Sequence, residues 1–402
     1  MSSEVISTAA NPPANPAELD TARRTMQPAS WSGVLLSLAV TSMTLGIMWD
    51  ISWHITIGRD TFWTPAHVAI YLGGVLGGMT AGWLAFQCTF LARRDERDAS
   101  VRILGARAPL GAWVTLWGAV AMLTSAPFDD WWHNAYGLDV RIISPPHALL
   151  GLGMLGLSLG ALLLTLAHQN RVQDGAGNAL FIYVAGLFLA LGAVFVMEFT
   201  TPNLQHAAPF YKACALAFAF RLVVIGVAGR VRWPATRAAA VCLGIGCLMT
   251  WLLPLFPGRP RLAPIFNPVT HMVPPAFPLL LIFPALGIDL ILGKFDRTAA
   301  GWRRVRLALL LGAAFFLIFL AVQWTFSSFL LSPAADNWFF AGNRYWGYNA
   351  WPGAWRDKFW QTPGLPGANP FDAFTVLWSW IFASAGCWLG LAWGNWMRKV
   401  QR

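Results

Sequence analysis

The chain has 402 residues, 56% of them hydrophobic and 11% charged, with a mean hydropathy of +0.53. A soluble domain carries about 25% charged residues, so a water-soluble globular fold is excluded. The net charge of +10 does not indicate a nucleic-acid partner, because the basic residues sit in short connections between apolar runs, the positive-inside pattern of a membrane protein.

Residues 1–30 are rich in Ala, Pro and Ser and read as a disordered cytoplasmic tail. They lack the basic start and apolar core of a signal peptide. Hydropathy then predicts about ten spans, near 31–54, 66–92, 108–133, 147–167, 179–200, 209–229, 236–256, 276–294, 304–331 and 372–396. Each is close to the ~20 residues needed to cross a bilayer. The expected fold is an all-α, polytopic helical bundle. The 23 Trp residues fit interfacial aromatic belts. One set of connections holds Arg93, Arg94, Arg97, Arg102, Arg107, Arg171, Arg230, Arg232, Arg237, Lys294, Arg297, Arg303, Arg304 and Arg306. This places both termini, with Arg23, Arg24, Arg398, Lys399 and Arg402, in the cytoplasm. The five Cys all lie in apolar spans without a CxxC, so neither a disulfide framework nor a thiolate metal site is expected.

The histidines sort by side. His54, His67, His133, His147, His206 and His271 fall on the non-cytoplasmic side, and His168 at the cytoplasmic end of a span. At the junction of the first two spans the sequence reads WDISWHITIGRDTFWTPAH. Asp50 and His54 are four apart, one turn of helix on one face. Thr64 is a suitable N-cap and Pro65 a suitable first helical residue, so His67 falls in the first turn of the second span. The junction of spans three and four repeats this as FDDWWHNAYGLDVRIISPPH. Asp129 and His133 are four apart, Ser144 and Pro145 repeat the cap, and His147 repeats the first-turn histidine. The offset is 79 residues for the Asp/His pair and 80 for the last His. Each unit offers one carboxylate and two imidazoles, a set suited to Zn, Cu, non-haem Fe or Ni that leaves coordination positions open. Asp130 is a candidate to orient ligands of the second unit.

Later spans carry weaker echoes in Glu198 with His206 and Asn267 with His271. Asp289, inside the eighth span, reads equally as a partner-seeking polar group, a proton relay or a boundary residue. Residues 332–371 form the longest connection, rich in Trp, Gly, Pro and Asn. Its aromatic content argues against disorder. It reads as a lid over the metal face in preference to a plug that docks a partner. The chain thus divides into the tail 1–30, a metal-binding four-helix unit 31–168, further spans 169–331, the loop 332–371, and a final span with a basic end, 372–402.

The stretch from Asp50 to His67 resembles a copper motif, Asp-x3-His-x12-His, found in one membrane-embedded component of the copper membrane monooxygenases, the particulate methane and ammonia monooxygenases. Trp53, Thr56, Ile57, Arg59, Asp60, Thr61, Thr64 and Pro65 resemble the intervening family residues. In the second unit Trp131 and His133 match, Pro145 and His147 match a Pro-x-His, and Asp129 stands where the family has Asn. The resemblance covers about residues 31–168. It implies copper, with iron or zinc as the alternatives, at Asp50, His54 and His67. It further implies an adjacent site of Asp129 and His133 that borrows His67, with Arg59 and Asp60 orienting ligands. It implies partner subunits, a homotrimer and a bacterial inner membrane, with the metals near the periplasmic face. The chain departs from the family in carrying the motif in its first span and in the extra charge of Asp129. The leading expectation is a copper-dependent membrane oxidase or monooxygenase that activates dioxygen on a small apolar substrate, with Asp50, His54 and His67 as the catalytic ligands. Such a reaction requires an electron donor, and a quinol would serve. The rivals are a membrane copper-handling protein, disfavoured as a transporter by the scarcity of polar residues mid-span, and a non-catalytic member of a larger complex, stapled by metal.

Overall fold

A computed structural model describes residues 31–58, 63–91, 100–137, 144–172, 175–259, 269–341 and 371–401. Among them are ten α-helices: α1 Trp31–Thr56, α2 Pro65–Phe86, α3 Leu110–Tyr136, α4 Pro145–Val172, α5 Gly175–Phe195, α6 Ala208–Ala228, α7 Pro234–Leu252, α8 Ile282–Lys294, α9 Gly301–Leu330 and α10 Ala373–Met397. All but α8 are long and apolar enough to cross a membrane. The chain is therefore a polytopic α-helical membrane protein. The only strands among the described residues are β1 Val101–Ile103 and β2 Ala106–Ala108, a small antiparallel hairpin between α2 and α3.

Consecutive helices form hairpins, and one contiguous core runs from α1 to α10. The α3–α4 pair meets through small residues, because with lipid outside close packing must supply the attraction. A Cβ on Gly118 would collide with the Leu157 amide nitrogen and the Gly153 carbonyl oxygen. The Asp/His junctions and His206 lie at one end of the bundle, the histidine end. At the other end Asn170 of α4 donates to the carbonyls of Met397 and Val400 at 3.1 and 2.8 Å, and Arg230 Nε donates to Asn170 Oδ1 at 2.7 Å.

The eighth span departs from expectation. The predicted 276–294 is helical only over Ile282–Lys294. The residues before it are in neither helix nor strand, because Pro274, Pro275 and Pro278 remove N–H donors and block the helix. Non-helical backbone at membrane depth is tolerated where protein buries it and supplies hydrogen bonds. Ser52 Oγ donates to the Val273 carbonyl at 2.6 Å, and the Val273 amide donates to Thr56 Oγ1 at 2.8 Å. The Leu280 amide donates to Gln323 Oε1 at 3.0 Å, while Gln323 Nε2 donates to Gln205 Oε1 at 2.7 Å.

Asp289 finds its role here. The α7 N-cap position is Trp233, in the left-handed region at φ 55°, whose side chain makes no cap bond. Asp289 of α8 supplies the cap from outside. Its carboxylate accepts from the Ala235 amide at 3.3 Å, the Thr236 amide at 2.8 Å and Thr236 Oγ1 at 2.7 Å. Asp289→Ala leaves these buried donors unmet and is expected to cost about 1–3 kcal/mol. A thermal melt in detergent reads this as a lower Tm; an unchanged Tm would refute the assignment.

The start of the long connection packs against the bundle. Trp251 Nε1 donates to the Phe339 carbonyl at 2.9 Å, and Phe340 packs against Phe277 and Phe329. Residues 342–370, and with them most of the expected lid, lie outside the described residues, as does the tail 1–30.

Candidate metal centre

The first centre is built where α1 ends and α2 begins. Asp50 and His54 share a face of the last turns of α1. Thr64, extended at φ −73° and ψ 151°, starts α2, and its Oγ1 accepts from the His67 amide at 3.2 Å. This cap fixes where His67 enters the helix. His54 Nε2 lies 3.5 Å and His67 Nε2 3.1 Å from the same atom, Asp50 Oδ1. One ligand atom from each residue fits within a 4.8 Å group. Asp50 is buried, and its Oδ1 accepts no hydrogen bond of good geometry.

A second Asp/His set, the second centre, repeats the construction between α3 and α4, although among the described residues only the first set gathers one ligand atom per residue within 4.8 Å. His133 Nε2 and His147 Nε2 lie 3.3 and 3.6 Å from Asp129 Oδ1, which likewise accepts no hydrogen bond of good geometry. His133 Nδ1 contacts the Gly137 carbonyl oxygen at 3.3 Å. A carbonyl only accepts, so that contact calls for a proton on Nδ1 and leaves Nε2 as the nitrogen that faces Asp129. Ser144 Oγ lies 3.0 Å from His147 Nδ1 and caps α4 by accepting from the His147 amide at 3.5 Å. The structure thus gives Asp129 its own pair of imidazoles, His133 and His147. His67, expected from the resemblance to be shared, sits on Asp50. The reason is local: each centre is closed by the helix that follows it in sequence, through that helix's own cap.

Other expected site residues fare differently. Arg59 and Asp60 lie outside the described residues, as do Asn267 and the Glu198 side chain. Asp130 is exposed and contacts Asn134 Nδ2 at 3.5 Å; one residue on from Asp129, it points about 100° away around the helix. His271 is exposed beside Thr270 Oγ1, 2.9 Å from its Nδ1.

His206 is buried with its Nε2 2.9 Å from Ser328 Oγ and 3.2 Å from Ser327 Oγ, and it packs edge-on against Trp324. Burial lowers its pKa from 6.5 to about 4. The unfolded chain therefore takes up a proton near pH 6.5 that the folded chain refuses until about pH 4. Stability attributable to this histidine is full above pH 6.5 and is lost as pH falls toward 4, by up to about 1.4 kcal/mol per unit. Tm measured from pH 7 to 5 should fall more steeply for the native protein than for His206→Gln. Parallel profiles would contradict this.

Two residues not expected from the sequence join the centres. Tyr71 lies one turn beyond His67, and Ser125 one turn before Asp129; their hydroxyl oxygens are 3.5 Å apart. The signal was a hydroxyl four residues from a ligand in each unit, but only the packing of α2 on α3 joins them.

The donor set fits a first-row transition metal. At the first centre two imidazoles and one carboxylate converge through Nε2, Nε2 and Oδ1, a set such metals accept. A carboxylate oxygen that faces two imidazole nitrogens and no other good donor is the arrangement a cation would complete. No protein-family model matches the chain, and neither a curated protein nor a solved structure matches it.

Proposed function

We propose that the chain is a copper-dependent membrane oxidase or monooxygenase, with its metals at the periplasmic face of a bacterial inner membrane. The observation that carries the reading is the convergence of Asp50 Oδ1, His54 Nε2 and His67 Nε2. The resemblance of Asp50 to His67 to the copper motif of the membrane monooxygenases supports copper among the metals this set accepts. Bound copper supplies redox chemistry toward dioxygen.

The protein's own residues do the rest. Asp50 and Asp129 offset the metal charge, each with two imidazoles. Thr64 and Ser144 hold His67 and His147 in register. Trp49, Trp53, Trp131 and Trp132 supply apolar surroundings that favour a small apolar substrate arriving through the lipid. The Tyr71 and Ser125 hydroxyls, 3.5 Å apart, link α2 to α3 between the two units. An external electron donor completes the reaction.

A second reading, copper capture for delivery to another protein, draws on the exposure of His54 and His147, whose side chains are 31% and 32% accessible. The experiment is elemental analysis of purified protein with His54→Ala and His133→Ala, followed by oxygen uptake with a chemical reductant. Copper in the native protein, reduced in each variant, with oxygen consumption supports the enzyme. Copper without oxygen consumption, but with transfer to an acceptor, supports delivery. Absence of copper, or its full retention in both variants, sinks both readings.

A further inference from the structure

Away from the metal centres, one cation stands deep in the bundle. Arg221 lies on α6, and its Nη1 reaches back one turn to donate to the Ala217 carbonyl at 2.5 Å. Ala217 is the tenth residue of a helix of 21, so the guanidinium sits at mid-depth of the span. Its carbon lies 5.0 Å from the centroid of the Phe188 ring on α5. Gly192, one turn along the same face of α5, makes the seat: a Cβ there would stand 3.1 Å from Arg221 Nε and 3.2 Å from Cζ.

A guanidinium has five N–H donors, and the bond to Ala217 is the one it makes among the described residues. Nε is buried without a partner, and the residue keeps partial exposure. No carboxylate of the described residues pairs with it. A charge at this depth is costly and marks a function.

The chain's own composition narrows what can meet it. The carboxylates within the ten helices are Asp50, Asp129, Asp130 and Asp289. The first two face imidazoles, Asp130 is exposed near the end of α3, and Asp289 caps α7. A second copy of the chain therefore has no helical carboxylate to offer at mid-depth. Lipid phosphates and fatty-acid carboxylates stay at the interface, because burying their charge is costly. An acidic helix of another chain would carry the same penalty on its way to the site. A neutral carbonyl oxygen on a lipid-soluble ring meets no such barrier, and it accepts charge-assisted hydrogen bonds from a guanidinium.

We propose that Arg221, Phe188 and Gly192 form a binding site, separate from the metal centres, for a neutral, lipid-soluble carbonyl compound of the quinone class. Phe188 covers one face of the guanidinium, Gly192 admits it between α5 and α6, and the free N–H groups donate to the ligand's carbonyl oxygen. The test uses the full chain in lipid nanodiscs and a benzoquinone with a ten-carbon tail, titrated by tryptophan quenching. Saturable binding of one molecule per chain is expected, weakened about ten-fold or more in Arg221→Gln, the size of one charge-assisted hydrogen bond.

A photoreactive azido derivative of the same quinone, applied to the native protein, should label α5 or α6 near residues 192 and 221. This guards against a variant that fails to fold. Non-saturable partitioning, equal affinity in a folded Arg221→Gln, or labelling elsewhere would overturn the proposal. So would a co-purifying chain that cross-links to position 221 through an acidic residue. No metal is added, so the result stands apart from the metal analysis.

Discussion

Asp50→Ala should abolish metal binding at the first centre and leave the second intact. Both imidazoles of that centre converge on one oxygen of Asp50, at 3.5 and 3.1 Å. Removing it leaves two neutral ligands and no charge to offset the cation. Loss of a mere outer partner of a metal ligand costs 10–100-fold in affinity, so loss of the carboxylate itself should exceed about 100-fold. The readout is Tm with and without added copper. A ligand at 100 times its dissociation constant stabilises the folded state by about 2.7 kcal/mol. The native protein should show the contribution of both centres, Asp50→Ala only that of Asp129, and Asp50→Ala with Asp129→Ala none. A copper-dependent rise in Tm that survives in the double variant would place the metal elsewhere.

The second large effect lies on the far side of the same helix. Ser52 and Thr56 are displaced by two residues from Asp50 and His54, about 200° around α1. Thr56 Oγ1 accepts from the Val273 amide at 2.8 Å and donates to the Ser52 carbonyl at 2.6 Å. The non-helical segment before α8 is thereby clasped to the turn that bears Asp50 and His54. Thr56→Val keeps the shape and removes the hydroxyl. It leaves the Val273 N–H without its acceptor, which should cost about 1–3 kcal/mol of stability. It should also loosen the first centre by up to about ten-fold in metal affinity, in the range of outer-partner effects, while the Asp129 centre is unaffected. Equal loss at both centres would mean global destabilisation, and no loss at either would mean the clasp is idle.

Much of the site was legible because its parts are local in sequence. Asp50 with His54, and Asp129 with His133, share faces by helical spacing. Thr64–Pro65 and Ser144–Pro145 announce helix starts that carry His67 and His147 inward. Each centre is one helix hairpin, closed over fewer than about 20 residues, so little beyond secondary structure was needed. Which imidazoles face which carboxylate is a question of distance in space: His67 lies 3.1 Å from Asp50 Oδ1, and His133 and His147 lie beside Asp129 Oδ1.

Hydropathy located the ten helices because membrane-spanning length is a composition signal. It did not separate the non-helical residues before α8 from the helix after them, since both are apolar. Pro274, Pro275 and Pro278 were the local sign of the break. The hydrogen bonds that make it tolerable come from Ser52, Thr56 and Gln323, distant in the chain.

Asp289 was ambiguous in sequence for the same reason, and became a cap once α8 was seen to place it against the start of α7. By itself, then, the sequence determined a polytopic α-helical protein and two Asp/His ligand sets at one end, through hydropathy, helical period and capping. Tertiary packing decided which imidazoles face which carboxylate, brought Tyr71 to Ser125, clasped the broken span to α1, and left Arg221 without a carboxylate among the described residues. These depend on side chains tens to hundreds of residues apart, whose meeting no local spacing encodes.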